Sequence, residues 1–312
     1  MLGIERHTTC LSHITSNGTL LVGDHYTAMF DCGMTFCANE TIKKVKDALN
    51  GRPLDYIFAT HMHYDHIGAL PFFRTEWPNL RLIGSNAGAE ILLKDTPRRV
   101  IRELSMAAQN TFGTDSAPDY SLYNDEAFHC DIIVKEGDGI SLGGCTVETI
   151  EAPGHTRDSI SFFVPEIKLL VLSETQGVLM PDGNIYPGYL TSYKSAMRTL
   201  ERSRRLPYKY LDAPHHGLLT PEWTAIFLEK CFETMVGCHE FIIGLTKQGL
   251  DESEIIQRYF EKYYSKIMET MQPKEAFLAN ARATVASTLK ELGETGAIEK
   301  PLKKTTDRKS VV

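Results

Sequence analysis

Three histidines and one aspartate lie within six consecutive positions, in the order His61, His63, Asp65 and His66. Side chains two positions apart on an extended backbone point to the same side, so His61 and His63 can converge on one ion. A turn directly after them would allow Asp65 and His66 to reach a neighbouring position. Zinc, iron and manganese all accept imidazole and carboxylate ligands. The spacing therefore favours a metal site over a surface histidine cluster.

Further potential ligands occur downstream, and each follows an apolar run that has the character of a strand. Short apolar runs bounded by turn residues are typical of buried strands. Ligands placed repeatedly at the ends of such strands are what a site at the edge of a sheet requires. These downstream candidates are His155, Glu174 and the adjacent pair His215 and His216.

The order of these motifs resembles that of the metallo-β-lactamase-fold superfamily. The pattern is H-x-H-x-D-H, then G-H, then an acidic residue after a strand, then H-G, and it spans about residues 18–219. Within the superfamily, the sequence most resembles glyoxalase-II-like and quorum-sensing thioesterase-like members. The resemblance lies in the stretch HMHYDHIGALPFF and in a helical C-terminal block. The resemblance implies an α/β (α+β) fold, an αββα sandwich whose site lies at one edge between two sheets.

The resemblance also implies how the ligands divide between two divalent metal ions. Zinc is the expected metal, and iron and manganese are alternatives because they accept the same ligands. The first ion would be bound by His61, His63 and His155, and the second by Asp65, His66 and a late histidine.

Two of the implied ligands leave alternatives open. Glu174 stands where the family has a bridging aspartate, and it is one methylene longer. It could bridge both ions, bind one of them, or swing away. His216 is preferred as the late ligand because it precedes Gly217, as the family's ligand usually precedes a glycine. His215 would then contact a metal ligand or the substrate.

Such a site predicts hydrolysis by a metal-activated hydroxide. Two ions about 3.5–4 Å apart can share a water and lower its pKa to about 7. The predicted catalytic side chains are Asp65 and His66, with Asp65 orienting the hydroxide or carrying its proton. An ester, thioester or lactone of a small molecule is the expected substrate.

Other functions on the same fold remain possible from the sequence. One is a metal-stabilised regulatory or interaction protein with vestigial hydrolysis, and another is a phosphodiesterase or sulfatase. A flavo-diiron oxygen reductase is disfavoured because no flavin-binding region follows and because His63 occupies a position where such proteins carry glutamate.

Composition excludes several other classes. The net charge of −7 disfavours binding to nucleic acid, whose backbone is negative. No apolar run approaches the roughly 18 residues of a membrane span. The N-terminus lacks the pattern of a secretory signal, so a cytoplasmic location is expected. Seven scattered cysteines without a C-x-x-C pair predict neither a disulfide framework nor a structural zinc knuckle.

The alternation of predicted strands and helices that must position the ligands indicates an α/β core over residues 1–219, interrupted by an insertion at 97–130. Long insertions of this kind are often lids or substrate walls. A helical block is predicted over 220–299, with helices at 220–235, 251–271 and 273–292, followed by a mobile tail at 300–312.

The insertion and the helical block are expected to form walls of the substrate pocket. An apolar face of 251–271 could alternatively support a homodimer, although packing within the same chain is slightly favoured. A tyrosine, Tyr186 or Tyr189, could donate a hydrogen bond to a developing oxyanion. The aromatic candidates for the walls are Phe112, Tyr120, Tyr123, Phe128, Trp223 and Phe227.

Overall fold

The first sheet contains six strands and combines an antiparallel edge with a parallel centre. The computed structural model describes residues 7–13, 16–113 and 116–294, so the predicted tail lies outside the described residues. The order across this sheet follows the chain, and β3, β4, β5 and β6 are parallel. Its strands are β1 (His7–His13), β2 (Ser16–Val22), β3 (Thr27–Phe30), β4 (Tyr56–Phe58), β5 (Arg81–Ser85) and β6 (Ile132–Val134).

The second sheet also has six strands, in the order β14-β13-β10-β9-β8-β7. Within it β10 and β13 are parallel, and the other neighbours are antiparallel. A separate two-stranded hairpin, β11 with β12, follows β10 in the chain. The bounds are β7 (Gly139–Ser141), β8 (Thr146–Glu151), β9 (Ile160–Val164), β10 (Leu169–Val171), β11 (Val178–Leu179), β12 (Ile185–Tyr186), β13 (Tyr210–Ala213) and β14 (Gly217–Leu218).

The two sheets face each other across a core of apolar side chains. Alternate residues of a strand point to opposite faces, so Phe58 lies between the sheets while its neighbour Ile57 packs on the outer side. The ring centroid of Phe58 is 5.2 Å from that of Phe162 on the other sheet, and that of Phe30 is 5.5 Å from Phe162. These contacts between β3, β4 and β9 join the two sheets.

Helices cover the outer face of the first sheet. The predicted insertion at 97–130 contributes to this layer, since Ile101, Ala108 and Phe128 are buried in the same cluster as Ile57. The helices of this layer are α1 (Ala38–Leu49), α2 (Tyr64–Ile67), α3 (Leu70–Glu76), α4 (Asn86–Leu92) and α5 (Asp95–Phe112).

A second helical layer packs on the outer face of the second sheet. Phe227 and Met235 are buried together with Leu170 and Leu211 of the strands. The predicted αββα sandwich with a helical C-terminal block is therefore confirmed. The helices are α6 (Tyr193–Arg204), α7 (Pro221–Lys247), α8 (Glu252–Tyr263), α9 (Lys266–Met271) and α10 (Lys274–Glu294).

Two predicted helices differ in length from those observed. The helix predicted at 220–235 continues to Lys247, because Cys238 and Ile242 extend its buried face. The helix predicted at 251–271 is divided in two, because Ser265 caps a new helix by accepting a hydrogen bond from the Met268 backbone N–H.

The apolar face of α8 packs within the same chain. Ile255 and Tyr259 are fully buried against the rest of the helical block, and Ile256 and Phe260 are half-buried against it. This packing is the alternative that the sequence slightly favoured, and the possible homodimer stays a prediction. In the described ranges, every helix is too short or too polar to cross a membrane.

Replacing Phe162 by alanine should destabilise the protein strongly, since the change opens a cavity between the sheets. We expect a loss of about 3–5 kcal/mol in the free energy of unfolding, measured by urea denaturation. Leu122→Ala is the control, because Leu122 is 61% exposed and its truncation should change stability by less than about 0.5 kcal/mol. Equal stability of the two variants would contradict the proposed role of the aromatic contacts.

Candidate metal centre

The local backbone divides the histidine run into two halves. After β4 the chain bends at Thr60 and is extended at His63, whose φ and ψ are −77° and 153°, and helix α2 begins at the next residue. His61 and His63 therefore lie on the segment before the helix, whereas Asp65 and His66 project from its first turn. The turn that the spacing predicted directly after His63 is thus the first turn of α2.

The first group of potential ligands consists of His61, His63 and His155. Each offers one nitrogen, and these three atoms lie within 4.8 Å of one another. His155 Nε2 is 3.2 Å from His63 Nδ1. The other nitrogen of His155, Nδ1, lies 2.8 Å from the Gly188 carbonyl oxygen and donates to it, which leaves Nε2 facing the group.

The second group consists of Asp65, His66, Glu174 and His215, whose ligand atoms also lie within 4.8 Å of one another. Glu174 Oε1 is 2.7 Å from His66 Nε2 and 2.6 Å from His215 Nε2. Asp65 Oδ2 is farther away, at 3.8 Å from His215 Nε2. The group thus combines two imidazoles with two carboxylates.

Glu174 lies between the two groups. Its Oε1 faces the second group, while its Oε2 is 3.3 Å from His155 Nε2 of the first. The residue begins a 3-10 turn directly after β10 and is only 9% exposed. The extra methylene does not turn the carboxylate away, and one of its oxygens faces each group.

The structure corrects the choice of His216 as the late ligand. Residues 213–216 form a turn closed by the His216 N–H and the Ala213 carbonyl oxygen, 3.2 Å apart. Within it His215 adopts a left-handed conformation with φ of 62°, and its Nε2 faces Glu174. His216 lies outside the second group as the structure describes it. A left-handed non-glycine residue is uncommon, and the order of letters H-G does not reveal it.

Asp31 is a residue of the centre that the sequence analysis missed. Its Oδ2 accepts hydrogen bonds from His66 Nδ1 at 2.7 Å and from the Thr60 hydroxyl at 2.8 Å, and its Oδ1 accepts one from the Thr60 backbone N–H. The signal that could have found it is position. Asp31 directly follows β3, which is parallel to β4, so both strands deliver their last residues to the same edge.

Two further missed residues hold the ligand segments. Asp158 Oδ2 accepts a hydrogen bond from the Met62 backbone N–H at 2.8 Å, between the first two histidines of the run. The Thr175 hydroxyl accepts one from the His155 backbone N–H at 3.0 Å and donates to the Ala152 carbonyl oxygen. The loops that carry His155 and Glu174 are thereby joined.

Burial keeps two histidines of the first group, His61 and His155, neutral. Desolvation, reinforced by the neighbouring imidazoles, lowers the pKa of His61 well below its ordinary value. Desolvation likewise lowers the pKa of His155 to about 4, although the Glu174 carboxylate opposes the shift. Neutral imidazoles retain the lone pair that a metal ligand needs.

Carboxylates and imidazoles stabilise each other's charged forms in the second group. Burial alone would lower the pKa of His66, but the adjacent carboxylates of Asp31 and Asp65 and the hydrogen bonds to Asp31 and Glu174 raise it well above the ordinary value. Burial alone would raise the pKa of Glu174, but the surrounding histidines hold it well below its usual range. A carboxylate that stays ionised in this setting needs compensating positive charge.

The residues present fit a pair of divalent cations. Among the described residues, His61 Nε2 and Asp65 Oδ1 are buried and have no hydrogen-bond partner. Buried polar atoms are rarely left unpaired, and a missing ion is one explanation for them. One such atom belongs to each group. The unpaired atoms and the types of donor therefore both indicate two metal sites.

A cavity of about 530 Å³ opens beside the two groups. Residues of α5, α9 and α10 form its walls, as expected for the insertion and the helical block. The aromatic candidates were wrong, since none of them is among the described lining residues, whose tyrosines are Tyr64 and Tyr186. Tyr189 is fully buried elsewhere, with its hydroxyl 3.0 Å from that of Thr288.

Comparison with known proteins agrees with the fold. A family model described as the metallo-beta-lactamase superfamily matches residues 13–215. A metallo-beta-lactamase fold-containing protein of Sulfurisphaera tokodaii is 26% identical over 245 residues, 78% of this chain and 86% of that protein. A hydroxyacylglutathione hydrolase of Prochlorococcus marinus is 27% identical over 48% of this chain and 46% of its own length.

A solved structure extends the likeness to the helical block. A metallo-beta-lactamase family protein from Thermus thermophilus aligns with a TM-score of 0.64 and 18% identity, and the match covers 95% of each chain. At that identity the likeness concerns the fold alone. The family model covers well over half of the chain, from the first sheet to the late histidine. The chain therefore belongs to the metallo-beta-lactamase superfamily.

Proposed function

We propose that the protein is a dinuclear metal-dependent hydrolase of an ester, thioester or lactone. The observation that carries the proposal is the position of Glu174, whose two carboxylate oxygens face one ligand group each. Membership of a largely hydrolytic superfamily supports it. The metal that we propose is zinc, and the cell compartment that we propose is the cytoplasm.

The two ligand groups would hold one ion each. His61, His63 and His155 would bind the first ion, and Asp65, His66 and His215 the second, with Glu174 shared between them. When bound, two divalent ions supply Lewis acidity and lower the pKa of water to about 7. No serine or cysteine nucleophile is then required.

Asp65 is the side chain best placed to handle a proton. It lines the cavity, and its Oδ1 is buried without a hydrogen-bond partner in the described part of the chain. An ionised carboxylate with a free oxygen can accept a proton from an attacking water or orient that water. His66 contributes through its fixed orientation, which the hydrogen bond to Asp31 determines.

The cavity favours a carboxylic ester or thioester over a phosphodiester. Beyond the metal groups its walls are mainly apolar, and Arg157 is the one basic side chain among the described lining residues. A phosphodiester would bring a further negative charge beside Asp158 and Glu275, which also line the cavity. The similarity to a hydroxyacylglutathione hydrolase supports cleavage of an acyl bond.

His63→Ala should abolish hydrolysis, because it removes a ligand of the first ion. We expect kcat/KM to fall at least roughly a hundredfold, and chelation of the metal should have the same effect on the unmodified protein. The assay compares a thioester panel with bis-phenyl phosphates. Unchanged hydrolysis by His63→Ala would refute the proposal, and a preference for the phosphates would favour a phosphodiesterase.

The neighbouring histidines His215 and His216 provide a matched pair. His215→Ala should reduce the bound metal from two ions per chain to about one, because a ligand of the second group is lost. His216→Ala should retain both ions. Elemental analysis with anomalous scattering gives metal identity and number together. If His216→Ala lost the metal and His215→Ala kept it, the assignment of the second group would be wrong.

Asp31→Asn should weaken metal binding without unfolding the chain. Asparagine tolerates the left-handed backbone found at Asp31, where φ is 54°. Its amide NH2 cannot accept the hydrogen bonds that the carboxylate accepts from His66 Nδ1 and the Thr60 hydroxyl. We expect metal affinity to fall about 10–100-fold, measured by competition with a chelator. The control is Asp47→Asn, an exposed position on α1. Equal affinities in the two variants would show that Asp31 does not position His66.

A further inference from the structure

Two sets of helical residues line the cavity beside the metal groups, and the space between them is called the slot. One wall is a single face of α5, formed by Pro97, Val100, Ile101 and Leu104. Positions spaced by three, four and seven residues lie on one side of a helix. They extend about 10 Å along the axis of α5, at 1.5 Å for each residue. This wall is apolar over its whole length.

The other wall comes from the helical block. Met268 and Met271 of α9 and Ala276 and Ala279 of α10 line it. The two alanines lie on one face of α10, and their small side chains leave the space between the helices open. Methionine side chains adapt to apolar ligands of different shapes. The wall from α5 is therefore apolar, and the wall from the helical block combines these apolar side chains with the polar Gln272, Glu275 and Asn280.

We propose that this slot binds a medium-length unbranched apolar chain of the ester or thioester substrate, an inference that rests on the proposed function. Ligand cavities of about 300–1,000 Å³ enclose most of a small molecule, and this one measures about 530 Å³. The length of the α5 wall matches a medium-length hydrocarbon chain. Glu275 lines the same cavity, so a chain that ends in a carboxylate is disfavoured.

Binding of straight-chain alcohols tests the slot without catalysis. Hexanol, octanol and decanol are titrated by calorimetry into the metal-loaded full-length protein. Affinity should rise about fourfold for each added methylene, as expected when each is removed from water. Affinity that does not depend on chain length would overturn the inference, whether or not the protein hydrolyses esters.

Two variants, one on each wall, locate the binding site, and a third serves as control. Ala276→Phe should fill the slot and lower decanol affinity at least tenfold, with a smaller effect on hexanol. Val100→Asp places a charge on the other wall at a position that is 41% exposed, so the fold should tolerate it, and decanol affinity should fall similarly. Ala286→Phe, exposed on α10 outside the cavity lining, should not change affinity. An equal effect in all three variants would overturn the assignment of the slot.

Hydrolysis then distinguishes which side of the ester carries the chain. One series of p-nitrophenyl esters extends the acyl group from acetate to decanoate, and a second extends the alcohol of an acetate ester. If kcat/KM rises about fourfold for each methylene in just one of the two series, the slot binds the side of the ester that this series extends. Metal-dependent hydrolysis with no rise in either series would overturn the inference and leave the proposed function intact. Chain-dependent alcohol binding without any hydrolysis would overturn the proposed function and leave the slot.

Discussion

The buried carboxylate of Glu174 is the interaction on which the centre depends. Transfer of an ionised carboxylate into the protein interior is costly unless partners compensate its charge. Here the partners are His66 and His215 on one oxygen and His155 on the other. They come from three separate segments of the chain. The carboxylate and the imidazoles can therefore be buried together only in a fold that brings these segments to one place.

The two facing sheets satisfy this constraint by ending their strands at the same edge. In the first sheet, β3 and β4 are parallel and are followed by Asp31 and by the histidine run. In the second sheet, β10 and β13 are parallel and are followed by Glu174 and His215. The aromatic contacts between the sheets hold the two edges side by side. The packing of the core thus also determines where the ligand side chains lie relative to one another.

The sequence predicts most of the centre because its ligands follow apolar strands, and strand ends meet at the edge of a sheet. Prediction failed where position depends on a single backbone conformation. The left-handed φ of His215 turns this residue toward Glu174, and a one-letter pattern cannot distinguish it from its neighbour His216. Asp31 was missed because it is a lone aspartate outside the histidine motifs, although it too directly follows a strand. The break in the helix predicted at 251–271 depends on a hydrogen bond by Ser265, which competes with a continuous apolar pattern.

The centre and the walls of the cavity differ in how the fold supports them. The ligands are attached to strand ends and are held by buried hydrogen bonds, such as those of Asp31 and Asp158. The walls belong to helices outside the sheets, α5 on one side and α9 with α10 on the other. Substitutions on those helices can change the shape of the slot without moving a ligand. The sheets therefore position the groups that would bind the metal ions, and the helices around them form the walls that a substrate would contact.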